Sequence, residues 1–540
     1  MGAVDVSGVG YSLPGGRVLL DDLVLRAGDG EHVALVGANG SGKTTLLRIV
    51  AGDLRAQRGT VAVDGRLLVM RQLLGRDEAT VTDLLVGLSP VVLRAAAEEL
   101  AAAEAAAASD PSERAGMRLA RAHAAWGDAG GYAAEVFWDV CTSRVLHAPY
   151  EKVADRRLAT LSGGEQKRLA LEVLFRSDAD VLVLDEPDNF LDVPGKEWLE
   201  ATIAASPKTI LFVSHDRELL ARVAHKIVTI EAGGGWTHGG GFADYHEARD
   251  ARLARLDLLH RQYTEEQKRL AETLTEFRRR AQMGSDKFAS RVRATKHRIE
   301  RFEREPPPER PSAQNVAMRL GGARTGKRVV TIEALELAGL TDPFDTEVLF
   351  GERIGVVGLN GTGKSHFLKL LAGHDIAHAG VLKLGARVVP GYFSQLHEPT
   401  PSRPGPGPGV DAGGKPGAGE PSLLELMMQA GHTRGEAMAS LRRYELHECA
   451  AQPFETLSGG QQARLQILLL ETSGATLLLL DEPTDNLDLV SSEALEAALD
   501  RFEGTVIAVT HDRWLMRSFD RFLVFGSDCT VRESPEPLYR

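Results

Sequence analysis

Short, almost wholly apolar runs recur along the chain, and each leads into a polar motif. Val33 to Val36, Val181 to Leu184 and Thr209 to Val213 lie in the first half, and Leu477 to Leu480 in the second. Four or five apolar residues without alternation suit central parallel strands covered on both faces, so the pattern predicts α/β units with their chemistry at the strand ends. One stretch departs from this. From Phe242 to Ala281 there is neither Pro nor Gly, and Leu253, Leu256, Leu259, Tyr263, Leu270, Leu274 and Phe277 return at near three-and-four spacing. That is the narrow apolar stripe of one helix, roughly 60 Å long at 1.5 Å per residue. After a break at 282–286, a second helical run from Lys287 to Arg304 ends at Pro306, Pro307 and Pro308, so 242–310 is expected to be a charged helical hairpin.

The polar motifs give the apolar runs a meaning. Val33 to Val36 enters Gly37, Ala38, Asn39, Gly40, Ser41, Gly42, Lys43, Thr44 and Thr45, followed by the apolar helix Leu46 to Ala51. Strand, glycine-rich loop and helix in that order cradle phosphates: backbone amides point inward and the helix N-terminus adds positive potential. Lys43 reaches the β and γ phosphates, and the Thr44 hydroxyl ligates Mg²⁺. Leu161, Ser162, Gly163, Gly164, Glu165 and Gln166 open a further helix, with Ser162 as N-cap and glycines that leave bare amides for an anion. The strand Val181 to Leu184 ends in Asp185 and Glu186. Asp185 is expected to hold Mg²⁺ through water, and Glu186 to orient or deprotonate the attacking water. Thr209 to Val213 delivers His215 towards the γ-phosphate. Gln72, after the strand-like Leu67 to Met70, is placed to sense Mg²⁺ and water. Tyr11 reads either as an adenine-stacking aromatic or as an ordinary strand residue.

The whole series repeats after Arg310. Gly358, Asn360, Gly361, Gly363, Lys364 and Ser365 form the second phosphate loop, Gln395 is the second glutamine, and Ser458, Gly459 and Gly460 form the second serine-glycine turn. Asp481 and Glu482 follow Leu477 to Leu480, and His511 closes the set. Three parts are expected: a first α/β unit at 1–240, the hairpin linker at 241–310 and a second α/β unit at 311–540. An Ala-, Glu- and Arg-rich helical arm at about 91–150 occurs only in the first unit, and a Pro- and Gly-rich surface loop at about 399–421 only in the second. The chain ends soon after the second set, so no C-terminal domain is expected.

Charge changes the picture in one place. With 63 Lys and Arg against 75 Asp and Glu, the formal net charge is −12, so a nucleic-acid contact requires a local patch. Between Arg278 and Arg304 there are ten basic residues against three acidic ones. Such a run is read as a solvated helical face or, at the tip of a projecting element, as a contact for a phosphate backbone. Cys141, Cys449 and Cys529 show no metal-ligand spacing and fit reduced thiols in a cytoplasmic protein. No run approaches the 18 apolar residues of a membrane span, and Met1 to Gly10 has neither the basic start nor the apolar centre expected of a signal peptide.

Taken together, these residues resemble the ATP-binding cassette ATPases. Two cassettes in one chain, an arm in the first and a helical linker of roughly 70 residues look like the ABC-F family. The resemblance implies a monomer whose cassettes pair head-to-tail, with ATP on Lys43 closed by Ser458, Gly459 and Gly460, and ATP on Lys364 closed by Ser162, Gly163 and Gly164. It also implies the ribosome as partner, reached by the hairpin, and either a general translation factor or a protector against antibiotics. The short hairpin turn points to the general factor. The alternative is the energy subunit of a drug exporter with a separate membrane protein, which has no need of a basic hairpin. DNA-repair cassette ATPases carry zinc modules or far longer coiled coils, absent here. Two motifs depart from the family pattern: Asp188 and Phe190 stand in Asp185-Glu186-Pro187-Asp188-Asn189-Phe190-Leu191-Asp192, and Asp485 and Asn486 in Asp481-Glu482-Pro483-Thr484-Asp485-Asn486-Leu487-Asp488. His366 stands where Thr is usual.

Overall fold

The computed structural model describes residues 2–70, 79–110, 112–231, 233–282, 286–304, 316–394 and 421–538. Residues 1–239 and 315–540 form one compact unit and Gly240–Gln314 another.

Each apolar run is a strand of a six-stranded sheet. In the first half the order is Leu67–Met70, Val181–Asp185, Thr209–Val213, His32–Gly37, Lys226–Glu231 and Gly234–His238. The first five are parallel and the last pairs antiparallel. The second half repeats this as Pro390–Phe393, Leu477–Asp481, Thr505–Val509, Arg353–Gly358, Arg521–Phe525 and Val531–Ser534. Every residue of Val181–Asp185 and Leu477–Asp481 is buried, which is why these strands carry no polar alternation. Register then sets the chemistry. Asp185 pairs with Val213 and Asp481 with Val509, so each Asp-Glu pair emerges beside the histidine loop of the neighbouring strand.

A three-stranded antiparallel sheet covers each larger one: Val18–Ala27, Ala3–Ser12 and Arg58–Asp64 in the first half, Phe344–Leu349, Arg328–Leu337 and His378–Leu384 in the second. Val4, Val6, Leu23 and Leu25 of the first pack with Leu35, Val183 and Leu211 of its central strands. The arm consists of helices Val91–Ser109, Glu113–Asp128 and Gly131–Val145. Trp126, Trp138 and Tyr150 pack in sequence there, and Gly131 has no alternative, since a Cβ would lie 2.0 Å from the Trp126 ring. Among the described residues, the corresponding part of the second half has the short helices Leu423–Gln429 and Arg434–Arg443.

The second unit is a helical hairpin of Tyr245–Gln282 and Asp286–Arg304. Tyr263 stacks on Phe302 at 4.5 Å and Phe277 meets Phe288 at 6.0 Å, so the two helices run antiparallel with their apolar stripes facing. Its charge is less open than the run from Arg278 to Arg304 suggests. Glu276 pairs with Arg279 and Arg280, and Glu266 with Arg298. Arg280 and Arg291 lie over the Phe288 ring. Among the described residues, no helix is long and apolar enough to cross a membrane.

Candidate functional site

The two phosphate loops are built alike. Gly37 and Gly358 have φ of 147° and 152°, and a Cβ on either would lie 2.5 Å from the Ile230 carbonyl oxygen or 2.3 Å from that of Phe525. Only glycine lets the loop turn there against the adjacent strand. Gly42 and Gly363, both left-handed, cap the helices Lys43–Val50 and Lys364–Leu371. Lys43 Nζ donates to the Gly37 and Ala38 carbonyls at 2.7 and 3.0 Å, and Lys364 Nζ to those of Gly358 and Leu359 at 2.8 and 2.7 Å. Burial lowers the pKa of both lysines, against the pull of nearby carboxylates. Those carboxylates include Asp488 beside Lys43 and Asp192 beside Lys364, each from the opposite cassette.

Around each lysine the remaining groups converge. The Thr44 hydroxyl lies beside Asp185, and Ser365 Oγ donates to Asp481 Oδ1 at 3.1 Å. Burial raises the pKa of both aspartates, and buried Asp185 Oδ1 has no hydrogen-bond partner. Glu186 and Glu482 hold φ of 48° and 49°, a left-handed backbone that costs energy in a non-glycine residue and aims each carboxylate into the loop region. His215 follows from the neighbouring strand with neither ring nitrogen bonded. Burial, then the Lys43 charge, lowers its pKa to about 3. His511 is lowered well below the usual value by burial, Lys364 and Lys196. Both imidazoles are therefore neutral near pH 7.

The loop lysines are completed from the opposite cassette. Asn39, in the Lys43 loop, donates its backbone N–H to Asp488 Oδ2 at 3.2 Å and its amide to the Asn486 carbonyl at 2.7 Å. A Cβ on Gly460 would lie 1.9 Å from Asn39 Nδ2, so the Ser458-Gly459-Gly460 turn sits directly on this loop. On the other side Asn360 Nδ2 lies 3.4 Å from the Phe190 carbonyl. A cavity of about 410 Å³ brings Ser162, Gly163 and Gly164 together with Lys364, Ser365, Asp481, Glu482 and His511. Each serine-glycine turn therefore faces the lysine loop of the other cassette.

Of the other candidates, Asn39 and Asn360 face the opposite cassette as described, Gly40 and Gly361 lie at the loop crests, and Thr45 is half-buried on the first helical turn. Tyr11 lies on the strand Ala3–Ser12, partly buried against the core of the first cassette. Gln72 and Gln395, and nearly all of the 399–421 loop, lie outside the described residues. Ser162 is the N-cap of Gly163–Arg176, and its hydroxyl donates to Glu165 Oε2 at 2.8 Å.

Sequence reading missed the ion pairs that clamp the cassettes together. Arg217 makes a two-pronged bond to Glu496 and lies 3.3 Å from Asp512. Its counterpart Arg513 does the same to Glu200, with Asp216 at 3.8 Å. Each arginine follows the His-Asp pair, and each glutamate lies eight residues after Asp192 or Asp488, so the internal repeat carried the signal. Val193 packs against Val357, Met516 and Phe522 of the second cassette. Lys196 was also missed. Its Nζ lies 3.0 Å from Asp216 Oδ2 and 3.5 Å from the His511 carbonyl. Burial alone would lower its pKa, but Asp216, Asp188 and Asp485 outweigh that and hold it above the usual lysine range.

A model of the ABC transporter family matches residues 20–189 and 342–485, more than half of the 540 residues and both phosphate loops. Across both cassettes and the hairpin between them, an antibiotic resistance protein of Mycobacteroides abscessus is 50% identical over 568 residues, covering 100% of each chain. The chain belongs to the ABC-F family. The energy-dependent translational throttle protein EttA of Mycobacterium tuberculosis is 29% identical to this ABC-F chain over 95% of its length and 90% of the relative's. Among solved structures, an archaeal ribosome recycling factor in complex with a ribosomal stalk protein superposes with a TM-score of 0.53 at 20% identity, covering 96% and 87% of the two chains. That likeness extends to the twin-cassette fold. The ABC-F chain is thus an ATP-binding cassette protein with two cassettes in tandem.

Proposed function

We propose that this ABC-F protein binds one ATP with Mg²⁺ at each composite site, hydrolyses it, and uses closing and opening of the cassettes to engage and leave the ribosome in the cytoplasm. The observation that carries the reading is the placing of each serine-glycine turn on the lysine loop of the other cassette, so that neither site is complete in one cassette. The boundaries that follow are 1–240 and 311–540 for the cassettes and 241–310 for the linker.

In this reading Lys43 and Lys364 hold the β and γ phosphates with the amides of residues 37–42 and 358–363. Tyr11 flanks the adenine of the first site. Ser162, Gly163 and Gly164, or Ser458, Gly459 and Gly460, cover the γ-phosphate from the opposite side. The residues present fit Mg²⁺: one hydroxyl, Thr44 or Ser365, lies against one buried carboxylate, Asp185 or Asp481, and Asp185 keeps an oxygen without a partner. A cation that shares its shell with phosphates and water asks for no more protein ligands than that. When bound, it neutralises charge on the β and γ oxygens. Gln72 and Gln395 are assigned to the same cation and water. Glu186 and Glu482 orient the attacking water and accept its proton. His215 and His511, neutral, each offer one N–H to the γ-phosphate without adding charge.

The ribosome enters through the family and through the hairpin, whose tip and return helix are rich in Arg and Lys. An exporter subunit has no use for such an element. The short hairpin turn suggested a general translation factor, but 50% identity to an antibiotic resistance protein, against 29% to a translational throttle protein, supports the protecting role. The test is co-sedimentation of the Glu186→Gln, Glu482→Gln variant with purified ribosomes, since a form that closes on ATP without hydrolysis accumulates the complex preferred by the closed state. Pelleting that requires ATP is expected. Equal recovery in the supernatant with and without ATP, despite normal ATP binding, would remove the ribosome from the account.

A further inference from the structure

The two halves build the same loop and helix after the Asp-Glu pair, but with different side chains. Asp192 and Asp488 cap the helices Val193–Ala204 and Leu489–Arg501 in the same way. Four residues after the cap stands Lys196 in the first half and Ser492 in the second, and at the matching place before it stand Asp188 and Thr484. Asp188, which is buried, and the largely covered Lys196 and Asp216 are grouped together in the first cassette only. A buried cation with two carboxylates is a costly arrangement. The second half folds the same elements with Thr484 and Ser492, so the fold itself does not require the ions.

The position of Lys196 suggests what they do. Asp216, bonded to Lys196 Nζ, directly follows His215 at the Lys43 site. The same ammonium, with Asp188 and Asp485 also nearby, lies 3.5 Å from the carbonyl of His511 at the Lys364 site. One side chain thus spans the two histidine loops that face the two γ-phosphates. Ser492, short and uncharged, builds no matching bridge to the His215 loop. The cavity containing Lys364 and Glu482 also reaches Lys196, Asp188 and Asp216, so the bridge lies within the reaction space of the second site.

The geometry points to Lys196 as a positioning residue donated by the first cassette to the Lys364 site, which fixes the His511 loop by tying it to Asp216 beside His215. This rests on the roles of Glu482 and His511 given under Proposed function. Lys196 touches no reacting atom in this scheme. It acts through His511.

The test transplants the second half's residues into the first. Lys196→Ser alone would leave two buried carboxylates short of a counter-charge, so the variant is Asp188→Thr, Lys196→Ser, which removes one charge of each sign. In a Glu186→Gln parent, turnover comes from the Lys364 site, and adding Glu482→Gln must abolish it. A parent that fails this counts against the reading of Glu482, whereas the ratio of parent to variant reports on the bridge. The expected result is a fall of about tenfold in kcat at the Lys364 site with KM for ATP changed by less than about twofold, because a displaced histidine loop costs transition-state contacts and not ground-state binding. In a Glu482→Gln parent, the same pair of substitutions should change kcat of the Lys43 site by less than about threefold. Unchanged kcat at the Lys364 site would overturn the inference. So would a loss confined to the Lys43 site, which is the signature of packing within the first cassette.

Discussion

The Lys43 and Lys364 sites use the same parts but hold their glutamates differently. Glu186 accepts a hydrogen bond from Asn189 of its own loop at 2.7 Å. Glu482 has Asp485 at that place, which can only repel it. It accepts instead from the His511 backbone N–H at 3.0 Å, with the His511 ring 3.3 Å away. Burial raises both pKa values, and the neighbouring Asp485 and Asp481 add to the rise at Glu482. The serine-glycine turns differ as well: Glu165 carries a negative charge beside Ser162, whereas Gln461 is neutral beside Ser458. The two repeated units thus hold one site organised by its own asparagine and another organised through the histidine loop. A few substitutions around a fixed backbone suffice to separate them.

The largest expected effect tests whether both sites work. Glu186→Gln and Glu482→Gln should each remove turnover at one site by about 10²- to 10³-fold while leaving the other, and the double variant should release no phosphate above background. Steady-state phosphate release measures this. Next is the clamp. Arg217 is 4% exposed on its side chain and bonded to Glu496 and Asp512, so Arg217→Ala leaves two carboxylates unpaired at the cassette interface. A loss of about 3 kcal/mol in urea unfolding is expected. A loss below about 0.5 kcal/mol would mean that the pair behaves as a surface contact. Asn189→Ala sharpens the contrast itself: it should slow the Lys43 site about tenfold in a Glu482→Gln parent and leave the Lys364 site unaltered in a Glu186→Gln parent.

A smaller effect concerns pH. Burial and the neighbouring Asp216 raise the pKa of Asp188 to about 6, against the pull of Lys196. A carboxyl whose folded pKa lies above its unfolded value holds a proton that the unfolded chain has released. Its contribution to stability is complete below about pH 3.8 and is lost as pH rises through about 6. Asp188→Thr should therefore stabilise the protein more at pH 7.5 than at pH 4.5, by on the order of 2 kcal/mol. Thermal melts at the two pH values measure this, and an equal shift at both would show that Asp188 is not the group responsible.

The sequence made some parts of this legible and hid others for a physical reason. Phosphate loops, serine-glycine turns and the Asp-Glu strand ends are local patterns, written within ten consecutive residues, and the parallel sheets follow from apolar runs with no alternation. The hairpin was readable for the same reason, through its spacing of Leu and aromatic residues. Contacts between distant positions were not. Arg217 and Glu496 are 279 residues apart, and nothing near either names the other. Lys196 reads on its own as a helix surface residue, and only the fold shows it largely covered beside His511. Charge counting along a window also misled: Glu266 and Glu276 lie outside the span from Arg278 to Arg304, yet they neutralise Arg298, Arg279 and Arg280.

The central claim is that each site is completed by the other cassette, and a crossover experiment tests it most directly. Gly460→Asp or Gly164→Asp, placed in each single-glutamine parent, puts a carboxylate on one serine-glycine turn while one site alone turns over. In the Glu482→Gln parent, where the Lys43 site is active, Gly460→Asp should cut phosphate release by about 10²-fold and Gly164→Asp by less than about threefold. In the Glu186→Gln parent the order should reverse. The opposite pattern, with each substitution silencing the lysine loop of its own cassette, would contradict the head-to-tail arrangement.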